Sequence, residues 1–202
     1  MLLHIHPTNP NAREVAQVAC TLQQDGVIIC PTDTVYAFMC ALNSKKAYET
    51  LLRIKGVKSK DANFSFVFPN LSYLADYAKV DNPTFKVLKQ NLPGAFTFIL
   101  KASGKVPDKL QNRRKSIGVR IPNSRIVVAL LEQLGCPLLT TSTKSPDEVL
   151  EYITDPAELD ERYGKLVDIV IDGGAGGNVP STIIDCTVQP YELVREGAGV
   201  LI

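Results

Sequence analysis

An α/β domain built on a mixed sheet is what the 202-residue sequence predicts, and three observations carry that expectation. Short β-branched apolar runs alternate with longer segments whose apolar residues recur at helical spacing, so strands and helices are interleaved along the chain. The gaps between strand-like runs are uneven, some hairpin-short and others long enough for a helical crossover, which fits a mixed sheet better than a regularly alternating parallel one. The length lies within the roughly 100 to 250 residues that one hydrophobic core organises, so residues 1–202 are expected to form a single domain.

A helix is expected from Asn11 to Gln24, because Val15, Val18, Ala19 and Leu22 share one face and Asp25-Gly26 supplies a stop. GVIIC (26–30) reads as a buried strand whose end spills at Pro31 into a loop, PTDTVYAFMC. The next helix takes Asn43 or Ser44 as its cap, carries Ala47, Leu51, Leu52 and Ile54, and ends at Gly56 before the basic loop KGVKSKD. FSFVF (64–68) reads as a strand and Leu71 to Tyr77 as a short helix; Asn82-Pro83 starts a helix through Leu88 that Pro93-Gly94 breaks. Strands follow at FTFILK (96–101) and IGVRI (117–121). The helix after them has the face Ile126, Val127, Leu130, Leu131 and Leu134, a cap at Asn123 or Ser124, and a stop at Gly135. LLTTS (138–142), VDIVI (167–171), STIIDC (181–186) and YELV (191–194) complete seven or eight strands among about six helices. The stretch GGAGGN (173–178) has neither the GKS/T of a phosphate loop nor a helix-opening GxGxxG, and reads as an ordinary flexible loop.

Composition narrows the function classes. An apolar fraction of 45% with 21% charged residues is globular and excludes a disordered, collagen-like or disulfide-dense chain. No apolar run approaches the roughly 18 residues of a membrane span, and the N-terminus has neither a basic nor an extended apolar leader region. A cytoplasmic protein without membrane association is expected. Five cysteines form no CxxC pair, so the expectation is core thiols rather than a disulfide frame or a zinc site. His4 and His6 are the only histidines, which leaves little material for a histidine-centred triad or a metal cluster. The net charge of +1 conceals an asymmetry: eight Lys or Arg face one acid between Lys101 and Arg125, whereas nine acids face two cations between Asp147 and Asp172. A basic cluster of that kind can focus phosphates or nucleic acid, and a solvated charged face is the plainer reading.

Polar residues collect at the predicted strand ends: Thr32, Asp33 and Thr34, then Arg120, then Thr140, Thr141 and Ser142, then Ser181-Thr182. Ligands of open α/β sheets tend to sit there, and hydroxyls with Lys55, Arg120 and Arg195 would make an anion-binding wall. Taken singly, each is equally a turn hydroxyl or a surface cation. Taken in order, PTDTVYAF (31–38), IKG (54–56), PGAFTFIL (93–100), IGVRIP (117–122), PLLTTS (137–142), STIID (181–185) and VREG (194–197) resemble the YrdC/YciO family of threonylcarbamoyl-AMP synthases, with IHPTNPN and NFSFVF similar to its YciO branch.

The resemblance implies a twisted open mixed sheet with a concave, positively charged cavity that can serve as a double-stranded-RNA-binding surface. It also implies a reaction in which L-threonine, bicarbonate or carbon dioxide, and ATP with Mg2+ give threonylcarbamoyl-AMP and pyrophosphate. Partner proteins would then carry the threonylcarbamoyl group to tRNA. Position by position, Thr34, Arg120, Thr140 and Ser181 match the threonine side, and Lys55, Ser116, Ser142 and Arg195 match the nucleotide side. Two positions depart from the synthase pattern: Val57 stands where an arginine is expected and Lys144 where an asparagine is expected. An aliphatic side chain cannot replace a bidentate phosphate clamp. The alternative implied is a noncatalytic RNA-binding paralogue that uses Lys101, Lys105, Lys109, Arg113, Arg114 and Lys115 to hold phosphates. With aromatic residues at 7%, RNA contact would be electrostatic rather than a stacking platform.

Overall fold

Eleven strands join into one mixed sheet in the computed structural model, which describes residues 1–111, 115–143 and 152–202. From one edge the order is β1 (Leu2–His4), β9 (Ile169–Asp172), β2 (Val27–Cys30), β3 (Ala37–Ala41), β8 (Leu138–Ser142), β4 (Ser65–Val67), β7 (Ser116–Arg120), β6 (Phe96–Ala102), β10 (Thr182–Asp185) and β11 (Glu192–Arg195). The short β5 (Ala78–Lys79) pairs beside β6. The β1-β9, β9-β2, β4-β7 and β6-β10 pairs are parallel and the others antiparallel, so the sheet is mixed as expected.

Among the described residues there are six α-helices: α1 (Ala12–Gln23), α2 (Lys45–Lys55), α3 (Leu71–Tyr77), α4 (Asn82–Asn91), α5 (Arg125–Leu134) and α6 (Pro156–Tyr163). Each starts at a side chain that accepts a backbone N–H: Asn11, Ser44, Asn70, Asp81, Ser124 and Asp155 respectively. Gly56 and Gly135 close α2 and α5 in the left-handed conformation, which glycine adopts without steric cost.

Alternation along the strands sorts the core into two faces. Val27 and Ile29 of β2, Phe38 and Cys40 of β3, and Phe66, Val119, Phe98 and Ile184 further along the sheet point into one cluster, which α2, α3, α4 and α6 cover. Ile28, Cys30, Met39, Ile169 and Ile171 point the other way, against α1 and α5, which pack on each other. That second cluster extends to Leu138 and Val67, at the near ends of β8 and β4.

Several expectations need correction. The segment PTDTVYAFMC is not loop throughout: Ala37–Ala41 is an interior strand, buried at all five positions and paired on both sides. A strand buried on both faces shows no alternation, which is why periodicity passed over it. The N-terminal Leu2–His4 is an edge strand, and the acidic stretch carries α6, with Asp155 as cap and Pro156 in the first turn. The cysteines are not uniformly core thiols. Cys30 and Cys40 are buried, Cys136 and Cys186 half-buried, and Cys20 exposed on α1. GGAGGN is also more than a free loop. The hydroxyl of Tyr36 donates to the Gly174 carbonyl (2.7 Å) and accepts from the Gly173 N–H (3.2 Å), and Gly176 N donates to the Thr154 carbonyl.

Candidate functional site

Strand register explains where the cleft lies. On the face that α1 and α5 cover, the cross-strand row Leu138–Val67 is apolar, but the next positions outward are Thr140, Ser65, Gly118 and Ile99. Thr97 pairs with Ile183 on the same face. Small and hydroxyl-bearing residues therefore replace large apolar ones where the helical cover ends, and the sheet presents a concave floor.

Arg120, at the end of β7, anchors the inner part of this floor. Its Nη2 donates to Asp33 Oδ1 at 2.9 Å and to Thr34 Oγ1 at 3.1 Å, and the Arg120 and Asp33 side chains are only 8% and 9% exposed. The other Asp33 oxygen accepts from the Asn123 N–H at 2.9 Å, so the carboxylate ties the loop after β2 to the turn before α5. Thr32 Oγ1 donates to the Val35 carbonyl and accepts from the Thr34 N–H. Its single proton is thus committed, and the 3.0 Å contact between the two hydroxyls makes Thr34 the donor. The Thr34 oxygen then takes the Arg120 N–H and keeps acceptor capacity towards the cleft. Arg120 Nε is enclosed and has no hydrogen-bond partner among the described residues. Burial lowers the Arg120 pKa most, Asp33 opposes that, and the nearby Arg195 lowers it further. With Arg195 near enough to act on Arg120, and Asp33 the carboxylate paired with Arg120, the cleft carries an excess of positive charge that an anion would relieve.

The wall opposite is built by β10 and β11. Arg195 donates from Nε (3.1 Å) and Nη2 (2.7 Å) to the Ser181 carbonyl, and from Nη2 to Ser181 Oγ (3.2 Å), which also meets Thr97 Oγ1 at 2.8 Å. Behind Thr34, a Cβ on Gly177 would collide with the Thr34 carbonyl oxygen. Only glycine permits that approach, so the Gly-rich stretch backs the Thr34 loop.

Three connected chambers result. The inner one, about 130 Å3, is lined by Thr34, Arg120, Thr140, Ser142, Ser181 and Arg195. All four threonine-side candidates meet there, with two of the four nucleotide-side candidates. A second, about 290 Å3, lies over Ser116 and Gly118 between Phe64, Ile99, Leu110 and Val194. The outer chamber, about 350 Å3, contains Lys55, Val57, Asp61, Ser142 and Arg195, and Lys55 Nζ donates to the Ser142 carbonyl at 3.0 Å. Ser116 therefore stands apart from Lys55, in a different chamber. Sequence reasoning left Asn63, Ser65, Thr97 and Tyr152 out of the site. A polar residue at an inward strand position was the available signal for Ser65 and Thr97, while nothing local marked Asn63 or Tyr152.

The described basic candidates, Lys101, Lys105, Lys109 and Lys115, do not line the cleft. Lys101 lies across from Lys79 on β5, and Lys105 is paired with Asp76 at 2.8 Å beside the Tyr77 ring. Lys109 and Lys115 are exposed; Arg113, Arg114 and Lys144 lie outside the described residues. Among the described residues no cluster of three or more His, Cys, Asp or Glu could hold a metal ion, and no helix is long and apolar enough to cross a membrane.

Fold and site together define an α/β domain with a concave, cation-lined cleft on the uncovered half of an open mixed sheet. Residues 20–197 match the Sua5/YciO/YrdC family model, described as telomere recombination, and the chain belongs to that family. It is 43% identical over 197 residues to YciO of Escherichia coli K12, covering 97% of this chain and 95% of that one. The crystal structure of E. coli YciO superposes with a TM-score of 0.93 at 41% identity, covering 99% and 97% of the two chains. More distant is the threonylcarbamoyl-AMP synthase of Pseudoalteromonas translucida, 29% identical over 174 residues, or 84% of this chain and 91% of that one. P. abyssi Sua5, crystallised with L-threonine, shares the fold at a TM-score of 0.88 and 23% identity, over 98% of this chain and 57% of that one.

Proposed function

We propose that the cleft binds L-threonine through its carboxylate at Arg120 and ATP in the adjoining chambers, and that the protein forms threonylcarbamoyl-AMP. The observation that carries this reading is the buried Arg120: its Nη2 is held by Asp33 and Thr34, and its side chain lines a chamber of about 130 Å3 rich in hydroxyls. The synthase relative and the threonine-bound Sua5 support the choice of substrate.

In this reading the threonine amine attacks carbon dioxide, or bicarbonate with loss of water. An N–C bond forms as a C–O π bond of carbon dioxide opens, with the amine proton leaving to solvent, or as the C–OH bond of bicarbonate breaks, with the amine proton leaving in the water. A carbamate oxygen then attacks the α-phosphorus, and the α–β P–O bond breaks with its electron pair on pyrophosphate. Thr34, Thr140 and Ser181 hold the amino acid. Arg195, shared by the inner and outer chambers, neutralises the charge developing between carbamate and α-phosphate, while Lys55 and Ser142 meet the remaining phosphates. The more apolar chamber over Ser116 receives the base. Mg2+ bound to ATP would offset phosphate charge, and Asp61, the only carboxylate lining the outer chamber among the described residues, would be the side chain to meet it.

The test is pyrophosphate release from ATP with L-threonine and bicarbonate, each omitted in turn. Release that needs all three is expected, and release independent of threonine sinks the reading. One observation favours a second reading, a noncatalytic RNA-binding paralogue: Val57 lines the outer chamber without a charge. Absence of an arginine clamp there costs about 2 to 4 kcal/mol of transition-state stabilisation, or roughly two to three decades in rate. Threonine binding without pyrophosphate release, together with RNA affinity that falls steeply with salt, would favour the paralogue.

A further inference from the structure

Along β7 the residues that face the cleft are Ser116, Gly118 and Arg120, one every second position. At about 3.3 Å of rise per residue, the outer two stand roughly 13 Å apart with the glycine midway. Arg120 belongs to the inner chamber and Ser116 to the more apolar one, and the two chambers share Asn63, Ser65, Thr97 and Ile183. Gly118 is flanked in register by Ser65 on β4 and Ile99 on β6. A Cβ built on it would stand 3.0 Å from Ser65 Oγ and 3.3 Å from Thr97 Cγ2, two of the four side chains common to both chambers. Its backbone is not left-handed, so the glycine answers no conformational demand. What its missing side chain provides is space.

We infer that Gly118 is a specificity-determining residue: it keeps the floor low between the two chambers, so that one ligand can lie across them with a carboxylate at Arg120 and a planar base over Ser116. The ligand class is an amino-acid-derived acyl nucleotide, or the amino acid and nucleotide together. This inference rests on the functional reading above and goes further by naming the residue that joins the two halves of the site. A branched side chain at 118 would rise into the base chamber, whereas the Asp33 and Thr34 contacts that hold Arg120 come from other elements.

The experiment is calorimetric titration of the intact protein with L-threonine and, separately, with AMP, for the wild type, Gly118→Ala and Gly118→Val. Thermal unfolding of each variant checks the fold. Gly118→Val is expected to weaken AMP at least tenfold while threonine affinity stays within twofold. Gly118→Ala needs Ser65 to give by only a few tenths of an ångström and is expected to weaken AMP about threefold, which keeps the test available should the valine variant not fold. AMP affinity unchanged in a folded variant overturns the inference, as does a parallel loss of both ligands. A wild type that binds neither ligand overturns the functional reading instead, and the inference with it.

Discussion

Replacing Arg120 by alanine is the perturbation whose consequences the structure defines best. The guanidinium donates to Asp33 Oδ1 at 2.9 Å and Thr34 Oγ1 at 3.1 Å, and neither charged side chain exceeds 9% exposure. Removing one partner of such a buried pair leaves the other uncompensated, at about 3 to 5 kcal/mol. The lower end applies here, because Asp33 keeps the Asn123 N–H and the cleft admits water to the vacated space. With an m-value of about 2 kcal/mol/M in urea, a loss of about 3 kcal/mol moves the unfolding midpoint down by roughly 1.5 M. The chain has no tryptophan, so circular dichroism at 222 nm is the readout. Asp33→Ala should cost a similar amount by stranding a cation that already faces Arg195. The double variant should then cost less than the sum of the two, by about 2 kcal/mol of coupling. Charge-assisted hydrogen bonds are worth about 1.5 to 3 kcal/mol, so L-threonine affinity in Arg120→Ala should fall roughly 10- to 150-fold. An additive cycle would refute the coupling argument, and undiminished threonine affinity would refute the assignment of Arg120 to its carboxylate.

The thiols should separate by accessibility. An aromatic disulfide reagent should modify exposed Cys20 first and half-buried Cys136 and Cys186 slowly, the last because burial pushes its pKa up to about 12. Cys30 and Cys40 should react only on unfolding, and their prompt modification in the native protein would contradict the packing of β2 and β3. At the start of α4, side-chain and backbone hydrogen bonds from Thr84 hold Asp81 below its ordinary 3.8. Its contribution is therefore complete above that value and lost as pH falls through the lower folded pKa. Asp81→Asn should flatten the acid limb of the stability–pH curve below pH 3.8, whereas an unaltered limb would show that the cap does not titrate with folding.

Local chemistry was legible wherever a few residues settle the outcome. Helices α1, α2, α3, α4 and α5 lie within a few residues of their expected bounds, because an apolar stripe, a capping side chain and a terminating Gly or Pro all act within one turn. Strands β4, β6, β7, β8, β9, β10 and β11 were legible from short apolar runs. The strand β3 was not, since its identity depends on β2 and β8 pairing to either side.

The same division runs through the site. Thr34, Arg120, Thr140, Ser142, Ser181 and Arg195 were marked by residue type at strand ends, and the sequence by itself determined that these side chains could share an anion. Only the tertiary structure decided that Asp33 orients Arg120, that Ser116 and Lys55 belong to different chambers, and that Gly118 opens the floor between two of them. Each of those facts depends on register between strands distant in the chain, where a shift of one residue would turn every side chain to the opposite face. Pairing of that kind is settled by the whole sheet and the helices packed on it, which is why no short stretch of sequence contains it.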